Sequence, residues 1–193
     1  MRFRTAVLIL AISVLGAAHL KATVLPDACG DDKVKFEVTT QKAQGPLPAV
    51  DEGMAQVVFI ETSPHSVFIK STIRFGMDGK WIGANRVNSY FVLSVTPGEH
   101  HLCVNWQSSI KVAKKAVGMA AFTAEAGKVY YYEARIIEGT APPTAVGGGA
   151  PGQPPPTIIG GGTPAQFIFG ALSEDEGKYR IKISEVSTSK PKI

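Results

Sequence analysis

The pair Asp78-Gly79 sits between two short runs of strand-forming residues, Thr72-Ile73-Arg74-Phe75-Gly76-Met77 and Lys80-Trp81-Ile82-Gly83. A two-residue link between such runs needs positive φ at both turn positions, and Asp and Gly tolerate that better than other residues, so a tight β-hairpin is predicted here. The same punctuation recurs along the chain. Strand-like segments at 55–60, 90–95, 100–106, 119–124, 128–137 and 166–169 are separated by turn residues, with no long helical period between them. Thr96-Pro97-Gly98 predicts a second hairpin, because proline presets φ and glycine supplies the positive value after it. Glu125-Ala126-Gly127 predicts the turn of a further strand pair. Seven or eight strands at this spacing specify a mainly β fold, an antiparallel β-sandwich over residues 54–185.

Two segments carry the 23–53 region into that sandwich. Residues 33–39 alternate polar with apolar side chains, the period of a half-buried edge strand, and residues 40–53 hold Gly45, Pro46, Pro48 and Gly53 and read as a linker. The run 55–60 is almost continuously apolar, which suits a central strand covered on both faces. Near the C-terminus, Ser173 followed by Glu174-Asp175-Glu176 has the form of a capped, acid-rich first helical turn, leaving room for one short C-terminal helix. The alternation of Tyr179, Ile181 and Ile183 also admits a strand there. Residues 186–193 are expected to be a disordered tail. The Gly/Pro-rich insert at 139–164 has 8 glycines and 7 prolines in 26 residues and no charge. It contains an imperfect duplication, Pro143 to Pro151 and Pro156 to Pro164, and is expected to be a flexible loop that contributes little core.

Residues 1–22 have the form of a secretory signal peptide: Arg2 and Arg4, then an apolar run of 13 residues, then small residues with cleavage after Ala18 or Ala22. That run is shorter than the roughly 20 residues a membrane-crossing helix needs, so no transmembrane span is expected after cleavage. Loss of Arg2, Arg4 and Lys21 takes the 20 basic residues to 17 against 16 acidic, and a nucleic-acid partner, which calls for a clustered basic surface, is not expected. The expected location is periplasmic or secreted, in the cell envelope.

In that oxidising setting the two cysteines, Cys29 and Cys103, are expected to form a disulfide worth roughly 4 kcal/mol on the chain-entropy model. The competing reading, lipid on Cys29, is opposed by Pro26-Asp27-Ala28 before it.

Catalytic and metal chemistry finds few residues to use. His100 and His101 are neighbours on a strand and face opposite ways, so they do not chelate together, and His65 lies in a separate loop. No Gly-x-Ser-x-Gly elbow occurs, and the carboxylate clusters at Asp31-Asp32, Asp51-Glu52 and 174–176 lie near element ends, where capping explains them. No catalytic residue, cofactor or metal is expected. The aromatic residues have two readings: core packing is the default for them, and as the alternative Trp81, Tyr90, Trp106 and Tyr131 are the candidate ligand surface, a platform for stacking a sugar or aromatic ligand. Tyr130 and Tyr132 share a face with Ala134 and Ile136 and are read as core, which turns Tyr131, with Glu133 and Arg135, towards solvent.

Taken in order, the segments at 55–60 and 77–83, then Asn88-Ser89-Tyr90-Phe91, Pro97-Gly98-Glu99-His100 and Ala126-Gly127-Lys128-Val129-Tyr130-Tyr131, resemble the exported bacterial proteins grouped as domain of unknown function 2846. The fragment from Asp78 to His100 is also similar to envelope-associated sandwich repeats of the PEGA type. The resemblance implies an envelope protein with an immunoglobulin-like or transthyretin-like sandwich, and it supplies no catalytic residues. Three functions follow as expectations: a non-catalytic binding or structural module whose partner is an envelope protein or glycan, a carbohydrate-binding domain using the exposed aromatics, and a hydrolase with a noncontiguous site.

Overall fold

A computed structural model describes residues 26–63, 71–107, 117–138, 157–159 and 165–192. The signal segment, the basic connection at 108–116, His65 and most of the Gly/Pro-rich insert lie outside these residues.

The predicted hairpin is present. Strands β3 (Thr72–Met77) and β4 (Lys80–Arg86) pair antiparallel, and Asp78 and Gly79 both have positive φ, 51° and 82°. Around it the described residues form two packed sheets. One has the order β4-β3-β6-β7, with β6 (Gly98–Trp106) and β7 (Val117–Ala124) completing it. The other contains β1 (Lys35–Gln41), β2 (Ala55–Glu61), β5 (Ser89–Val95), β8 (Val129–Glu138), β9 (Thr157–Ile159), β10 (Ala165–Leu172) and β11 (Glu185–Lys192), in the order β1-β11-β5-β2-β8-β10-β9. The mainly β sandwich is as expected, but the larger sheet is mixed: β2 runs parallel to β8, and β11 runs parallel to β5 over two residue pairs.

Two of the expected hairpins are not hairpins. Thr96-Pro97 joins β5 in one sheet to β6 in the other, and the turn at 125–127 likewise carries the chain from β7 across to β8. Turn chemistry specifies that the chain reverses, and the residues at the reversal do not say whether the next strand pairs with the last or crosses the core. Crossing is selected here by the inner faces. Phe91, Leu93 and Val95 of β5 meet Leu102 and Val104 of β6 in one apolar cluster with Val57, Phe59, Phe75, Phe122, Tyr132 and Phe169. Phe59 stacks on Phe91 at 5.0 Å, and Tyr132 and Phe169 lie 5.7 Å apart.

The tail is also a correction. Residues 185–192 form β11, which lies between β1 and β5 and pairs with the whole length of β1, from Lys35 opposite Lys192 to Gln41 opposite Val186. Its side chains are mostly polar, so it carries no apolar period. Its attachment is polar instead: buried Ser187 donates to the Asn85 side chain, and the Ser189 hydroxyl accepts from the backbone N–H of Ala84 at 3.1 Å. Residues 157–159 of the insert form β9 on β10, so that part of the insert belongs to the sheet.

The N-terminal segment before β1 is held against the smaller sheet. Cys29 and Cys103 pair at disulfide distance, with their Cα atoms 5.2 Å apart and 74 positions between them in sequence. Beside them Arg74, only 3% exposed, lies 4.3 Å over the Trp81 ring and donates to the backbone carbonyls of Asp32 and Val34. Trp81 Nε1 donates to the Asp31 carbonyl at 2.7 Å.

Candidate functional site

Strand β2 is buried on every residue, including the face turned away from the sandwich core. Alternation puts Gln56, Val58 and Ile60 on that outer face, next to Tyr90 and Val92 of β5 and Val129, Tyr131 and Glu133 of β8. Two pieces of chain cover it. One is α1 (Glu174–Lys182), which starts at a capping box between Ser173 and Glu176 and packs so closely that Gly177 leaves no room for a side chain: a Cβ there would lie 2.2 Å from the Tyr131 ring. The other is the strap at 43–50, predicted as a linker, which lays Leu47 on Val58, Ile60, Tyr90 and Tyr131.

Between strap, sheet and helix lies a groove of about 660 Å³. Its floor holds Gln56, Tyr90, Val129 and Tyr131, its strap wall Leu47 and Pro48, and its helix wall Lys178, Ile181 and Lys182. A smaller hollow of about 360 Å³ lies on the β11 side of the same strap, against Val92 and Val186. The groove is mostly apolar, with three polar features. Gln56 is 2% exposed; its Nε2 donates to the Pro48 carbonyl at 3.2 Å, and its Oε1 is buried without a partner among the described residues. Tyr90 and Tyr131 are buried, and burial pushes both phenols up. At the rim Lys178 is paired with Glu174 at 2.5 Å, whereas Lys182 has no ion pair among the described residues.

The four aromatic residues expected to form one platform are therefore divided. Tyr90 and Tyr131 come together in the groove. Trp81 is half-buried beneath Arg74 on the far side of the molecule, and Trp106, 5% exposed, belongs to the inner core. Tyr131 does not face solvent. It sits on the outer face of β8 as the alternation requires, but α1 has docked there, and Tyr131 and Glu133 are 4% and 7% exposed. Glu133 is satisfied by Arg180 at 3.0 Å and the Thr62 hydroxyl at 2.6 Å. The continuous apolar character of 55–60 was the sequence signal that something covers this face, and it did not identify the cover.

His100 does structural work. His100 Nδ1 lies 2.7 Å from the Asp78 carboxylate and Nε2 2.8 Å from the Thr96 carbonyl, so both ring nitrogens are occupied and neither is free to ligate a metal. Burial opposes its charge, but these two acceptors raise its pKa, and Asp78 is held low in return by the His101 backbone N–H and by His100. Among the described residues no three His, Cys, Asp or Glu side chains converge on a metal position. One carboxyl stands out elsewhere: Glu61, fully buried at the end of β2, is pushed up to about 8 by burial despite a 2.6 Å hydrogen bond from the Ser71 hydroxyl. No described helix is long and apolar enough to cross a membrane.

No family model, curated protein or solved structure matches the chain.

Proposed function

We propose that the protein is a non-catalytic binding module of the cell envelope, and that its binding site is the groove between the strap, the outer face of the larger sheet and α1. One observation carries the reading: a groove of about 660 Å³ joins mostly apolar walls to a few polar groups, the Tyr90 and Tyr131 side chains on its floor and Lys178 and Lys182 on its helix wall. Concave, mostly apolar sites with a few placed polar groups are the usual form of a small-molecule site, and about 660 Å³ lies within their range. The envelope location is supported by the signal-like N-terminus and by the cysteine pair at disulfide distance.

The test is native mass spectrometry of protein isolated from the envelope of its host. The wild type should retain a noncovalent small molecule, and Val129→Trp, which fills the groove floor, should lose it while keeping a normal urea midpoint. An identical spectrum for both proteins contradicts the proposal.

A further inference from the structure

His100 is held between two groups that can only accept. Its Nδ1 lies 2.7 Å from the Asp78 carboxylate and its Nε2 2.8 Å from the Thr96 backbone carbonyl, and neither of these has a proton to give. A neutral imidazole carries one N–H, so it satisfies one of the two and turns a lone pair on the other, whereas the imidazolium satisfies both. The residue is 8% exposed, which leaves little room for water to replace the missing bond. We propose that His100 is a proton-operated clasp: charged, it ties the Asp78-Gly79 turn to the crossing between β5 and β6, and deprotonation loosens that turn.

What the turn holds gives the clasp its reach. Asp78 is a non-glycine residue at positive φ, 51°, and its carboxylate takes His100 on Oδ2 and the His101 backbone N–H, at 2.8 Å, on Oδ1. Gly79 donates its own N–H to the Ala28 carbonyl at 3.2 Å, one position before the Cys29–Cys103 pair, so the turn is also a seat for the N-terminal segment. The surroundings of the ring are simple. Asp78 faces it from the β3–β4 turn, and the Phe122 ring of β7 lies 5.6 Å away. Tyr130 of β8 lies 5.0 Å from Phe122 and donates its hydroxyl to the Thr123 carbonyl. On β6 itself, Glu99 and His101 alternate to the opposite face, where they pair at 3.5 Å. Burial opposes the charge on His100, but the two acceptors outweigh it and raise its pKa above the ordinary 6.5. The stability that the clasp contributes is therefore complete below pH 6.5 and is lost as pH rises through the folded value.

Nuclear magnetic resonance of the isotope-labelled full mature chain tests the proposal from pH 6.5 upward. Both ring nitrogens of His100 should carry protons at pH 6.5, and one should be lost at higher pH. In step with that loss, the hydrogen-exchange protection of the Gly79 N–H should fall by about tenfold, the worth of one charge-assisted bond. Asp78→Asn keeps a residue that tolerates positive φ and removes the carboxylate, so His100 should lose its proton at lower pH there. Glu61→Gln should leave the fall at Gly79 in place, which separates it from the titration of the buried Glu61 carboxyl. A bare ring nitrogen on His100 of the wild type at pH 6.5, or Gly79 protection that does not follow the His100 titration, overturns the proposal. So does a fall at Gly79 that disappears in Glu61→Gln. The wild-type measurement decides the matter alone if Asp78→Asn does not fold.

Discussion

Gly177 sets how closely α1 covers the outer face of β2, and Glu61 is a carboxyl fully buried at the end of that strand. Gly177 occupies a helical position where alanine would be preferred by about 1 kcal/mol on propensity alone. Contact overrides propensity, because a Cβ would enter the Tyr131 ring. Gly177→Ala should therefore lower the urea midpoint, by the equivalent of about 1–3 kcal/mol, and expose α1 to faster hydrogen exchange. A stabilised variant would show that α1 is not seated on Tyr131. Glu61 makes a prediction about pH. Its folded pKa of about 8 lies above the ordinary carboxylate value of 4.5, so the folded protein holds a proton that the unfolded chain has lost between those values. Stability should then fall as pH rises from 4.5 to 8. In Glu61→Gln that fall should shrink, with the variant gaining on the wild type towards pH 8 in denaturation curves. Parallel pH profiles would mean that Glu61 is charged in the folded protein.

At the scale of elements, β11 separates what the sequence made legible from what it did not. Strands β2, β3 and β4, the Asp78-Gly79 turn and the cap of α1 were readable because each is written in a local pattern: an apolar run, positive-φ residues, Ser173 three positions before Glu176. The strand β11 has no such pattern. Its residues Ser187, Ser189 and Lys190 look like a solvated tail, and its fixing points, Asn85 and the N–H of Ala84, lie about a hundred positions away. The crossings after β5 and β7 were hidden for the same reason, since which sheet a strand joins depends on distant inner faces. The groove was half legible: Tyr90 and Tyr131 were singled out as ligand-facing, whereas the strap and Gln56 were not, because a buried amide inside an apolar strand reads as filler. A chain ending at Ser184 should show a large loss of folded signal in far-UV circular dichroism and a lower thermal midpoint, since β1 and β5 both lose a partner. An unchanged melt would return residues 186–193 to the status of a tail.

The whole molecule is a sandwich with a second, smaller apolar layer on one outer face. The inner layer, built on Phe59, Phe75, Phe91, Trp106, Phe122, Tyr132 and Phe169, accounts for the fold. The outer layer encloses the groove between the strap, α1 and the outer face of β2. On this account binding happens outside the sandwich, and the smaller sheet with Cys29, Cys103, Arg74 and Trp81 serves to hold the N-terminal segment in place. The direct measurement is a map of nuclear magnetic resonance shift changes on the labelled full mature chain as decanoate, an apolar chain with one charge, is added. The account predicts changes concentrated at Leu47, Gln56, Val129, Tyr131 and Ile181, with Trp81, Trp106 and the strands of the smaller sheet unmoved. Changes centred on Trp81 and the smaller sheet, or none at the groove residues at saturating ligand, would contradict it.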